Sequence, residues 1–149
     1  VGLTNIGDIH GYNTDEYHHK IPAEGELHYR GYDIKELVSH YIEEDRFGFE
    51  EVTYLLLFGQ LPTAEQLDEF KKVLVYYREL PTSFTRDVIL KAPSRDVMNS
   101  LARSVLTLYS YDEKADDTSL ENVLRQSLQM IAPLWIIAAA SREPPLQSP

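Results

Sequence analysis

A chain of 149 residues, 43% of them hydrophobic, can bury roughly 68–70% of the surface its unfolded form exposes, which suits one compact core better than two. Twenty-four Asp and Glu against fourteen Lys and Arg leave a formal charge of −10, which repels nucleic acid and anionic membrane where no basic patch offsets it. Cysteine is absent, which removes disulfides, thiolate nucleophiles and cysteine zinc sites and fits a reducing compartment; with no run near the ~20 apolar residues of a bilayer span and no signal-like start, a cytoplasmic protein is the expectation.

Residues 1–32 carry Gly2, Gly7, Gly11, Gly25 and Gly31 with Pro22 and are the poorest in helix signals. Leu27 and Tyr29 alternate with His28 and Arg30, the period-2 pattern of a short strand with one buried face. Ile6–Tyr12 is its expected hairpin partner, across a polar loop from Asn13 to Glu24. From Asp33 the period changes. Ile34, Leu37, Val38, Tyr41 and Ile42 form one helical stripe, Asp33 with Glu36 makes a capping-box-like start, and the helix should end near Glu44 to Gly48.

Phe49–Phe58 is apolar on every side at its second half, so period alone does not separate helix from strand. Glu50 and Glu51 suit the positive end of a helix and Gly59 suits a left-handed C-terminal position, so a helix is predicted. Thr63 and Gln66 form another capping box, opening a helix that buries Leu67, Phe70, Leu74 and Tyr77 and stops before Pro81. A shorter helix is predicted from Ser83 to about Lys91. Ser94 should cap the next, whose Met98, Leu101, Val105 and Leu108 share a face. Beyond the polar loop Asp112–Asp117, Thr118 with Glu121 reads as a further box. It leads to Leu124, Leu128, Ile131 and Trp135 on one face, with Pro133 interrupting or kinking the helix. The end, "REPPLQSP", reads as a disordered tail. The predicted organisation is therefore an irregular β-hairpin segment over 1–32, a helical portion over 33–141 and a tail over 142–149.

Chemistry is sparse. His10, His18, His19 and His28 lie in the N-terminal region with Asp8, Asp15, Glu16, Glu24 and Glu26, but no metal-ligand spacing is present, and a solvated loop is the better reading. Counted from Asp112 as a calcium loop, position three is Lys114, position six is Asp117 where glycine is required, and position twelve is Val123 where glutamate should sit. Asp116 and Asp117 are better placed to favour the following helix start. Nucleophile elbows, phosphate loops and dinucleotide fingerprints are absent from the sequence. Tyr76, Tyr77, Tyr109 and Tyr111 read as core-edge residues. Arg30 and Asp33 are the most suggestive polar pair, and a buried arginine satisfied by a carboxylate or by helix-end carbonyls is a structural device.

Several stretches nevertheless carry a specific wording. "GELHYRGYDIKELV", with its Gly-x-Leu-x-Tyr-Arg-Gly-x-x-Ile pattern, resembles the N-terminal region of citrate synthases. "FGFEEVTYLLLFGQLPTAEQLDEF", "YRELP", "MNSLARSVLTLYSYD" and "DDTSLENVLRQSLQMIA" follow in the family's order, so the resemblance runs from about Val1 to Ala132 and fades from Pro133 onward. The N-terminal "VGLTNIGDIHGY" is similar to a variant found in some anaerobic bacteria.

The resemblance implies a mainly α, citrate-synthase-like large-domain helical fragment with a short N-terminal β-hairpin, from a homodimeric enzyme that condenses acetyl-CoA with oxaloacetate to citrate and CoA. In such enzymes an aspartate and a histidine enolise the thioester, a second histidine polarises the oxaloacetate carbonyl and arginines clamp the carboxylates. Those residues belong to the family's later sequence. None of His10, His18, His19, His28 or His40 matches a catalytic position, so no catalytic, cofactor-binding or metal residue is assigned, and Arg30 is read as structural. The start at Val1 fits either a processed protein or a piece of a longer one, and the resemblance implies an N-terminal fragment of the enzyme, inactive by itself, without cofactor, nucleic-acid or membrane partner. The alternatives are a non-catalytic helical dimerisation or interaction module, and a 2-methylcitrate synthase relative that accepts propionyl-CoA.

Overall fold

The computed structural model describes residues 4–91, 94 and 96–141. Among the described residues 54% are helical and one small sheet is present, as the mainly α reading requires. It divides into two compact units, Val1–Lys71 and Lys72–Pro149.

The first unit opens with three antiparallel strands, β1 (Gly7–Thr14), β2 (Lys20–Tyr29) and β3 (Tyr32–Asp33), in that spatial order. Gly7 faces Tyr29, Ile9 faces Leu27 and Thr14 faces Lys20, with a bulge between His10 and Tyr12. The hairpin is thus where the sequence placed it, but the polar loop shrinks from Asn13–Glu24 to the turn between β1 and β2. Asp15 is the reason. Its Oδ1 accepts from the backbone N–H of Tyr17 (2.9 Å) and of His19 (2.7 Å), closing a tight turn of the kind aspartate side chains support. The predicted one-sided burial of β2 does not occur, since Leu27, His28, Tyr29 and Arg30 are all half-buried. β3, unforeseen, pairs with β2 through a two-residue turn at Arg30 (φ 51°) and Gly31 (φ 88°), the positive φ values that a type I′ hairpin turn demands.

Helix α1 (Ile34–Glu43) is capped by Asp33, whose Oδ1 accepts from Lys35 N–H at 2.7 Å; no reciprocal bond from Glu36 completes a box among the described contacts. Of the predicted stripe, Leu37 and Tyr41 are buried while Val38 and Ile42 stay exposed. Helix α2 (Phe49–Phe58) carries Glu50 and Glu51 in its first turn and ends on Gly59 at φ 85°, whose N–H donates to Leu55 O. Leu37, Tyr41 and fully buried Leu55 form the core of this unit, with Tyr29, Val52 and Leu61 against them. Tyr54, Phe58 and Phe70 add an aromatic trio at centroid distances of 4.5–6.0 Å, in the tilted and edge-on geometries that ring quadrupoles favour.

Helix α3 (Ala64–Tyr76) starts with the predicted capping box: Thr63 N–H donates to Gln66 Oε1 (2.9 Å) and Gln66 N–H to Thr63 Oγ1 (3.3 Å). Phe70 and Leu74 are buried, and Leu67 and Tyr77 half-buried.

In the second unit the short helix predicted over Ser83–Lys91 is a π-helical segment, Thr85–Leu90, preceded by Ser83 at φ 65°. Helix α4 (Val97–Tyr109) is capped by Asp96, not Ser94. Asp96 Oδ1 accepts from Met98 and Asn99 N–H, and Ser94 Oγ accepts from Asp96 N–H one step earlier. Its buried residues are Ser100 and Ser104, with Met98 exposed. The Ser104 hydroxyl donates to Ser100 O at 2.8 Å, which satisfies it inside the helix.

Helix α5 (Leu120–Ala140) is also capped later than predicted, here by one residue, by Ser119 rather than Thr118, and runs through buried Pro133 without a break. Leu128 is buried and Leu124 and Ile131 half-buried; the side chain of Trp135 and the tail 142–149 lie outside the described residues. Phe84, Ile89 and Ile137 form this unit's core, with Leu80, Val88, Leu101, Leu108 and Ala140 against it. By length and composition alone α5 could cross a membrane, although polar residues interrupt its first half and leave no unbroken apolar run of bilayer length. The same helix carries Glu121, Asn122, Arg125 and Gln126, and the last three are tied to a loop of their own unit.

Candidate functional site

Helices α1 and α2 meet at a corner organised by one arginine. Arg46 N–H donates to Tyr41 O at 3.0 Å. Its guanidinium binds both Glu44 and Glu51 and lies over the Tyr41 ring, 4.7 Å from the centroid. These bonds hold the Arg46 pKa above its ordinary value, and Arg46 in turn holds the Glu44 carboxyl below the usual carboxylate range. Burial, reinforced by the Glu51 charge, pushes the Tyr41 phenol up. His40 Nε2 sits 3.2 Å from Glu44 Oε1 on the solvent side.

Beside the corner lies an open groove of about 610 Å³ bordered by Arg46, Phe47, Glu50, Glu51 and Lys71 with an apolar side formed by Pro62 and Leu67. Its volume falls within the roughly 300–1,000 Å³ usual for small-molecule sites. Its chemistry is less suggestive. Two cations face two carboxylates, Arg46 is already committed to Glu44 and Glu51, and the border offers neither nucleophile nor acid–base pair.

The second unit holds a denser polar network. Arg125 Nη2 donates to both oxygens of Asp112, at 2.9 and 2.8 Å, and Arg125 Nε to Asn122 Oδ1 at 2.8 Å. Asn122 Nδ2 donates to the carbonyls of Lys114 and Asp117, and Gln126 Nε2 to Asp112 Oδ2 and Ala115 O. Arg125, chiefly, holds the Asp112 carboxyl below its ordinary pKa, and the Ser119 N–H does the same for Asp117. The acidic loop is therefore pinned to α5 by side chains, and the carboxylates of Asp112 and Asp117 are occupied. Asp117 supports the α5 start, as expected, whereas Asp116 instead accepts from the Tyr109 hydroxyl at 2.9 Å.

The structure disperses the histidines that the sequence groups together. His10 pairs with Asn13 (3.0 Å), His19 with Asp15 (3.1 Å) and His40 with Glu44, while His28 lies half-buried in β2. Among the described residues no three His, Asp or Glu side chains converge on one point. Arg30 and Asp33 do not pair either. Arg30 Nη2 donates 2.9 Å to Leu56 O near the end of α2, the helix-end alternative of the two, and Asp33 is spent on capping α1. Sequence reasoning missed Arg46 and Arg125. For Arg125 a pattern was available, since Asn122, Arg125, Gln126 and Gln129 follow helical spacing on one polar face.

Against known proteins, a family model described as "Citrate synthase, C-terminal domain" matches residues 1–145. The chain is 34% identical over 127 residues to the citrate synthase of Haloferax volcanii, covering 79% of this chain and 31% of that protein. It is 31% identical over 113 residues to the 2-methylcitrate synthase of Shewanella oneidensis, covering 73% and 28%. It therefore spans about a quarter to a third of the length of such relatives. Among solved structures, the citrate synthase of Thermoplasma acidophilum in a ternary complex with carboxymethyl coenzyme A and oxaloacetate superimposes with a TM-score of 0.75 at 20% identity, over 95% of this chain and 32% of that one. That likeness establishes the fold.

Proposed function

The chain belongs to the citrate synthase family, and on that premise we propose that it is the scaffold portion of an enzyme condensing acetyl-CoA with oxaloacetate to give citrate and free CoA. The observation that carries this reading is the family match over residues 1–145, joined to a fold in which the polar clusters serve as ties between elements. Enolising a thioester methyl needs a positioned base and a dry site that stabilises the developing charge. Among the described residues neither the groove nor the loop network offers that pair, which supports the reading that the reacting groups come from sequence outside this chain. Our placement of it in the N-terminal part of the enzyme differs from the domain named in the family description, and reading the parent gene on both sides of Val1–Pro149 decides between them.

CoA release from acetyl-CoA and oxaloacetate is the direct test. The 149-residue chain should give none above background and the parent protein should turn over; turnover by the chain alone would overturn the placement of the active site. Relatives acting as 2-methylcitrate synthases match about as well as citrate synthases, so the same assay with propionyl-CoA compares the two acyl preferences. A homodimeric, cytoplasmic enzyme without nucleic-acid partner or cofactor completes the proposal, supported by the −10 charge and by family membership. A second reading, a non-catalytic module that associates with a partner, is favoured by the exposed Met98, Leu106, Tyr109 and Leu120; a stop codon after Pro149 in the parent gene would select it.

A further inference from the structure

We draw no further inference here: the strongest candidate, the open groove beside the corner between α1 and α2, carries nothing because its charges balance and nothing in the structure shows what covers it.

Discussion

Replacing Gly48 by alanine tests the packing of the α1–α2 corner. Gly48 sits at φ −95° and ψ 4°, a conformation open to alanine, so backbone strain is not at issue. The obstacle is steric. A Cβ at this position would lie 2.1 Å from Tyr41 Cε2, 2.2 Å from Cδ2 and 2.7 Å from Cζ, so the ring must withdraw by about 1.4 Å or more to restore ordinary carbon contacts of about 3.5 Å. It has little room, because Tyr41 is only 7% exposed, packs on Leu37 and Leu55, and is overlaid by an Arg46 guanidinium anchored to two carboxylates. Overpacking of this kind costs about 1–3 kcal/mol, while the reduced freedom of the unfolded chain returns about 0.4–1 kcal/mol. Because the clash is deep, the upper part of the overpacking range, about 2–3 kcal/mol, applies, and the net loss should be about 1–2.6 kcal/mol, a fall in melting temperature of roughly 2–10 °C for a chain of this size. Urea unfolding followed by circular dichroism measures it, and the Tyr41→Leu background supplies the control. There the same glycine substitution should cost at least about 1 kcal/mol less, the coupling expected of residues in contact. Equal costs in both backgrounds, or a stabilised Gly48→Ala variant, would refute the steric argument.

Leu55→Ala, at a fully buried position, should lower the unfolding free energy by about 2–5 kcal/mol, and a loss below 1 kcal/mol in urea titration would contradict its place in the core. Gly59→Ala meets nothing nearer than Arg30 Cζ at 3.9 Å, so its cost of about 1–2 kcal/mol is purely the left-handed backbone. Gly59→Asn should lose less than Gly59→Ala in the same titration, since asparagine tolerates that region. Because Arg125 lowers the folded-state pKa of Asp112, this contribution is present above the unfolded-state value of about 3.9 and is lost as pH falls through the folded-state pKa. Wild type should therefore exceed Asp112→Asn by on the order of 1 kcal/mol at neutral pH. The gap should close on acidification below about pH 4, and a gap unchanged down to pH 2 would contradict the assignment.

Features set by a few neighbouring residues were readable from the chain itself. Asp33, Gly59 and the Thr63–Gln66 box act as predicted because a cap is a local bargain between a side chain and N–H groups two or three residues away. The helical period around Leu37 and Tyr41 likewise follows from spacing alone, and the citrate synthase wording survived because it is a matter of residue order. Where two caps compete, as at Ser94 against Asp96 and Thr118 against Ser119, the winner is the residue directly before the first helical turn, in extended backbone in both cases, and spacing does not say where that turn begins.

Burial and polar pairing lay further beyond the sequence. Val38 and Ile42 belong to the same stripe as Leu37 and Tyr41 yet remain exposed, because a stripe states which side is apolar and the neighbouring elements decide how much of it is covered. Arg30 is three residues from Asp33 but bonds to Leu56 O, 26 positions away; Arg125 reaches Asp112 across 13. Residue types and short spacings thus determined the family, the helices and most of their ends. Only the tertiary structure decided which charges meet and which apolar faces close, since those depend on distances in space between segments whose separation along the chain carries no such information.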